Sequence, residues 1–162
     1  MRFCRCVRTL CLWFVAVGWS AFGLGCGSST NVLGLKLNEL MAKHSAKGAV
    51  DWLEIYNPSE VEVDLTGVQL KDSNATWTFP AGTKIPGKGY LQVICDDTNQ
   101  GLRTNFKLSG SGETVVLQTS AGQKIDEVTF PKQADDVSWG RERDGAEKWK
   151  SFPVPTPGKS NG

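Results

Sequence analysis

Apolar and polar residues alternate along this chain in short runs, and Gly, Pro, Asn or Asp interrupts the runs about every eight to twelve residues. In Asp51-Trp52-Leu53-Glu54-Ile55-Tyr56-Asn57-Pro58, extended backbone places Trp52, Glu54 and Tyr56 on one face and Leu53 and Ile55 on the other. Asn57-Pro58 then stops the run, because proline lacks a ladder donor and drives the preceding residue out of the helical region. The same reading predicts strands over 34–41, 50–56, 60–64, 68–71, 76–79, 89–95, 106–108, 114–119, 124–130, 138–141 and 148–152. Ser120-Ala121-Gly122-Gln123 separates two β-branched runs and reads as a hairpin turn. Helix formers occur in a row only over 38–47, and their apolar positions do not repeat at 3.6 for more than about one turn. The pattern predicts an all-β sandwich or barrel in a single domain.

The first residues follow a different pattern. Arg2, Arg5 and Arg8 precede an apolar run over 9–24 that has Gly and Ser inside it and ends at Gly23-Leu24-Gly25-Cys26. A basic flank and a run shorter than the roughly 20 apolar residues of a membrane span predict a cleaved secretion signal over 1–25. Its end resembles a bacterial lipoprotein signal, which implies lipid attachment at Cys26. Gly23 stands where that pattern prefers an aliphatic residue, so secretion with a free Cys26 is the alternative. Gly27-Ser28-Ser29-Thr30-Asn31 has the composition of a flexible segment. Residues 26–33 are therefore read as a tether and 34–162 as the folded domain.

Removing the signal reverses the charge balance. Lysine and arginine number 18 against 17 acids, and three of the arginines lie in the signal, which leaves 15 against 17, or a net −2. Such a domain lacks the electrostatic term that supplies most non-specific nucleic-acid affinity. Cys4, Cys6 and Cys11 also belong to the signal, so the mature chain holds Cys26 and Cys95 and no disulfide framework. Cys95 ends an apolar strand and reads as a small buried hydrophobe.

Little in the chain points to catalysis. His44 is the single histidine, which excludes His-pair zinc sites, and its polar setting between Lys43 and Ser45 reads as a solvated loop. Asp51 and Glu54 fall on opposite faces of their strand, so they do not converge as an acid and base pair must. Asp72-Ser73-Asn74 and Asp96-Asp97-Thr98-Asn99 offer oxygen ligands, but neither has the Gly-centred twelve-residue calcium loop, and Asx turns account for both. Gly110-Ser111-Gly112 has neither the strand-before-helix setting of a nucleophile elbow nor the Lys-Ser/Thr of a phosphate loop. No metal or cofactor is implied. Trp52 and Trp77 are expected to anchor the core, while Trp139 and Trp149, in a more polar stretch, are more open to an edge or sugar-stacking role. Gly67 is expected at positive φ, and Pro86-Gly87 at the centre of a type II turn.

Several blocks, in order along the chain, resemble the lamin tail domain. They are Leu37-Asn38-Glu39-Leu40-Met41-Ala42, Asp51 to Asn57, Leu65-Thr66-Gly67-Val68-Gln69-Leu70-Lys71-Asp72, Trp77-Thr78-Phe79-Pro80, Ile85-Pro86-Gly87-Lys88-Gly89-Tyr90, Asn105-Phe106-Lys107-Leu108-Ser109, Gly112-Glu113, and the closing Pro155-Thr156-Pro157-Gly158. Asn38, Glu39, Asp51, Trp52, Glu54, Asn57, Gly67, Phe106, Gly112, Glu113, Pro157 and Gly158 make up the structural signature. The resemblance implies an immunoglobulin-like β-sandwich that binds or scaffolds without catalysing a reaction. With the signal, it implies a bacterial cell-envelope protein, an outer-membrane-anchored lipoprotein or else a secreted one. The partners it implies are the membrane, through lipid on Cys26, and a protein or polysaccharide. Nucleic-acid binding, by analogy with nuclear lamin tails, and service as an accessory subunit of an extracellular hydrolase are the alternatives.

Overall fold

A computed structural model describes residues 31–162; the signal and Cys26 lie outside them. Eleven strands follow one another: β1 Lys36–Met41, β2 Asp51–Tyr56, β3 Val63–Asp64, β4 Gln69–Lys71, β5 Thr76–Thr78, β6 Lys84–Ile85, β7 Tyr90–Cys95, β8 Glu113–Gln118, β9 Lys124–Phe130, β10 Ser138–Arg141 and β11 Trp149–Phe152. A five-stranded sheet in the order β11-β10-β1-β2-β7 packs on a four-stranded sheet in the order β5-β4-β8-β9, and β3 pairs with β6 beside them. Every pair of named strands is antiparallel. The domain is an all-β sandwich of the immunoglobulin-like kind.

The core lies where alternation predicts it. Leu37, Leu40, Leu53, Ile55 and Val93 point inward from the five-stranded sheet and meet Leu70, Trp77, Val115, Leu117, Val128 and Phe130 from the four-stranded one. Trp77 meets Phe79 edge to face with ring centroids 4.7 Å apart, a favoured aromatic geometry. The predicted hairpin joins β8 and β9. Thr119 N–H donates to Gln123 O, and Gly122, at φ +81°, takes the left-handed position. Gly67 sits at φ +79°, and a Cβ added there would come no closer than 4.0 Å to Ser120 Cβ. An alanine there meets backbone strain alone, so Gly67→Ala should cost about 1–2 kcal/mol, read from chemical melts.

Some sequence expectations are corrected. Val32–Gly34, at the tether's predicted end, forms a 3₁₀ turn capped by the Asn31 side chain, and Val32 packs against the core. Residues 106–108 are not a strand: Phe106 and Leu108 plug the core as single buried side chains, and Lys107 makes one isolated bridge to Asp96. β6 is missed because two residues carry no periodicity. The turn at 86–89 is displaced by one residue, since Gly89 N–H donates to Pro86 O and the positive φ, +54°, falls on Lys88. Gly87 is there for space, because a Cβ would lie 2.2 Å from Glu60 O.

Trp52 is buried, as expected, but not in the inter-sheet core. It lies on the outer face of the five-stranded sheet, flanked across the ladder by Met41 and Ile94. That outer face, ordinarily solvated in an antiparallel sheet, here carries buried Asn38, Glu39 and Glu54. What covers it is the chain's last segment.

Candidate functional site

A register shift between Leu37 and Glu39 marks a bulge in β1. Bulges re-aim side chains, and this one lets both Asn38 and Glu39 reach the outer face while Leu37 and Leu40 stay in the core. Glu54 arrives from β2 by the parity read in the sequence. Residues after β11 cross this face as a strap. Thr156 N–H donates to Glu39 Oε1 at 3.0 Å and its hydroxyl to Oε2 at 2.8 Å, while the Ser138 hydroxyl also donates to Oε1. Gly158 N–H donates to Glu54 Oε2 at 2.5 Å, and Asn38 Nδ2 donates to Oε1 at 3.3 Å. Asn161 Nδ2 donates to the carbonyls of Asn38, at 3.1 Å, and Arg141, at 2.8 Å.

Asp144, just beyond β10, completes the cluster. It accepts from Asn38 Nδ2, from Asn161 N–H and from the Tyr90 hydroxyl at 2.6 Å. Burial works to raise its pKa, yet hydrogen bonds from Ser160, Tyr90 and Asn38 outweigh it and hold the carboxyl below its usual range. Burial and the hydrogen bond to Asp144 push the Tyr90 phenol upward. Glu54 moves the other way: burial raises it to about 7 against the pull of the Gly158 and Asn38 hydrogen bonds, and the charges of Glu39 and Asp144 add to the rise. Three carboxylates thus meet on one face, but their oxygens are filled from within the chain. The cluster holds the strap and offers no open acid or base. Among the described residues no three His, Cys, Asp or Glu side chains form a metal-binding group.

A second candidate lies at one end of the sandwich. Gly48, Ala49, Val50, Asp51, Cys95, Asp96 and Lys107 line an open concavity of about 360 Å³. His44 is not the solvated loop residue expected: its side chain is only 11% exposed and Nε2 lies 3.3 Å from Asp51 Oδ1, without hydrogen-bond alignment. The folding of the 42–50 connection back over the start of β2 makes this pair, and no local pattern announces it. Burial raises the Asp51 carboxyl, opposed by His44. Asp96 is taken up by Arg103 and by an Asx turn to Thr98. Burial pushes the Cys95 thiol up to about 12, the reverse of what a nucleophilic thiol needs. In the native protein Cys95 should therefore stay unmodified by iodoacetamide at pH 8 and label fully only in denaturant, as read by intact mass.

The remaining signature residues are structural. Asn57 Nδ2 donates to the carbonyls of Val61, Ile85 and Pro86, while its Oδ1 accepts from the Ser59 N–H and hydroxyl, so one side chain ties the turn after β2 to β6. Glu113 accepts from Ser109 N–H. A Cβ on Gly112, at φ +95°, would lie 2.6 Å from Phe130 O. Asp72 accepts from the Asn74 and Ala75 N–H groups in an Asx turn. Trp149 is half-buried with its ring 4.8 Å from the Arg141 guanidinium carbon, and the half-buried Trp139 packs on the core, so neither is a free stacking platform.

A family model described as Lamin Tail Domain matches residues 28–132. The chain belongs to the lamin tail domain family. No curated protein matches it. The lamin tail match contains Asn38, Glu39, Asp51, Trp52, Glu54, Asn57, Gly67, Phe106, Gly112 and Glu113, and it ends before β10, β11 and the strap. Pro157 and Gly158 therefore stand outside the matched residues, yet Gly158 binds Glu54 inside them. The sequence reading missed Ser138, Asp144, Thr156 and Asn161 as members of this cluster. Their only signal is polarity, which a solvated tail shares.

Proposed function

We propose that this lamin tail domain is a non-catalytic interaction or scaffolding module of the bacterial cell envelope, or a secreted one, that binds a protein or surface polymer. One observation carries the reading. The buried acids that most resemble a reactive site are occupied by the chain's own strap, whereas the one-end concavity opens to solvent through groups suited to contact: Lys107, Val50 and loop backbone. Cys95, which lines it, is held as a thiol. Family membership supports a β-sandwich interaction module. The anchor in this reading is lipid on Cys26, with the membrane as first partner.

The test uses the full chain against peptidoglycan, lipopolysaccharide and purified envelope proteins in calorimetric titrations. Saturable binding is expected with at least one of them, weakened about tenfold or more by Lys107→Glu. Blank titrations throughout would overturn the proposal, and tight, salt-sensitive shifts of DNA at low salt would favour the nucleic-acid alternative. Membrane fractionation and intact mass test the anchor. Cys26→Ser should move the protein to the soluble fraction.

A further inference from the structure

The strap that closes the outer face is held by side chains, not by a ladder. No strand pairing joins residues beyond Phe152 to the five-stranded sheet; Thr156, Gly158 and Asn161 hang on the side chains of Glu39, Glu54 and Asp144 and on the main-chain carbonyls of Asn38 and Arg141. Pro153, Pro155 and Pro157 remove three main-chain donors from the segment and keep it extended. Gly158 sits at φ +74°, where a side chain would be strained, and its N–H is thereby turned onto Glu54.

The groups facing Glu54 are one-sided in charge. From β1 come Asn38 and Glu39, from β7 its cross-strand partner Gln92 with Tyr90 beyond, from the turn after β10 Asp144, and from the strap Gly158 and Thr156. Among the described residues no Lys, Arg or His ion-pairs or hydrogen-bonds through its side chain with Glu39, Glu54 or Asp144. Removing a proton here adds a negative charge to a buried, cation-free cluster.

We infer that the strap is a pH-sensitive clasp, seated while Glu54 carries its proton and released as Glu54 ionises, which uncovers the outer face of the five-stranded sheet around Glu54, Asn38 and Glu39. Release returns the carboxylate to water, so ionisation and opening are linked. The inference goes beyond the binding role proposed above and does not depend on it. Burial sets the titration of Glu54 near 7 in the closed form against an ordinary 4.5. If opening restores the ordinary value, linkage between pH 5 and pH 8 shifts the equilibrium toward the open form by up to roughly 70-fold.

Amide hydrogen exchange of the full chain from pH 5 to pH 9, corrected for intrinsic exchange rates, tests this. Protection at Gly158, Thr156 and Asn161 is expected to fall at least tenfold between pH 5 and pH 7 and to level off above, while β8 and β9 amides hold theirs. Glu54→Gln keeps the acceptor for Gly158 without the titration, and its strap protection should be flat across the same range. Protection in the parent that does not change with pH would overturn the inference, as would the same fall in Glu54→Gln.

Discussion

Replacing Arg141 with methionine should destabilise the domain by about 3–5 kcal/mol, the largest effect expected of any single polar change in this protein. Arg141 is 6% exposed at its side chain and bridges three elements at the sandwich rim. Its Nε donates to Leu37 O at 2.7 Å, one terminal nitrogen donates to Ala146 O, and the other pairs with Asp126 Oδ2 at 2.8 Å. Asp126 in turn accepts Leu37 N–H at 2.8 Å, so the pair serves both main-chain groups of a residue where β1 departs from its neighbour. Without the guanidinium, a carboxylate that is 12% exposed is left without its cation and two carbonyls lose a donor. Methionine fills the stem's volume, so lost packing is a small part of the effect. Arg141→Met combined with Asp126→Asn should recover about 1 kcal/mol or more, because the orphaned charge is gone while a Leu37 acceptor remains. Urea unfolding measures both variants. A loss below about 1 kcal/mol in the single variant would sink the assignment of a buried bridge.

The second large effect is on stability against pH. Glu54 has its pKa raised from 4.5 to about 7 in the fold, chiefly by burial. The native state therefore binds a proton more tightly than the unfolded chain, and the associated stability is full below about 4.5 and lost as pH rises through 7. The span corresponds to a ceiling of about 3 kcal/mol. Glu54→Gln should be more stable than the parent at pH 8 by about 2–3 kcal/mol and within about 1 kcal/mol of it at pH 4. Asp144 contributes with the opposite sign, since its lowered carboxyl loses stability as pH falls, so the difference between parent and variant is the diagnostic and not the parent curve alone. Parallel curves for the two proteins would show that the proton is not on Glu54.

Most strands and turns of the matched domain are legible in the sequence because local chemistry dictates them, with β6, residues 106–108 and the turn at 86–89 as the exceptions. Alternation placed Leu53 and Ile55 in the core and set Glu54 on the opposite face from Asp51, and Gly67 and Gly122 marked turns by their conformational freedom. Glu54 shows the limit of that reading: parity gives its face, but whether that face is buried depends on a segment about 100 residues away in sequence, as the Gly158–Glu54 and Thr156–Glu39 separations of 104 and 117 show. The expected solvated histidine failed for the same reason, since His44 is covered by contacts that no periodicity encodes.

Local sequence dictates the all-β sandwich, its strand faces, most of its turns and its family, because a two-residue period and the φ demands of glycine and proline act within a few residues. Long-range packing is what brings Asn38, Glu39, Glu54, Asp144 and the closing Thr-Pro-Gly segment into one buried polar cluster. A polar residue reads the same in sequence whether water or another part of the chain satisfies it, and here the long-range closure of the strap made the choice.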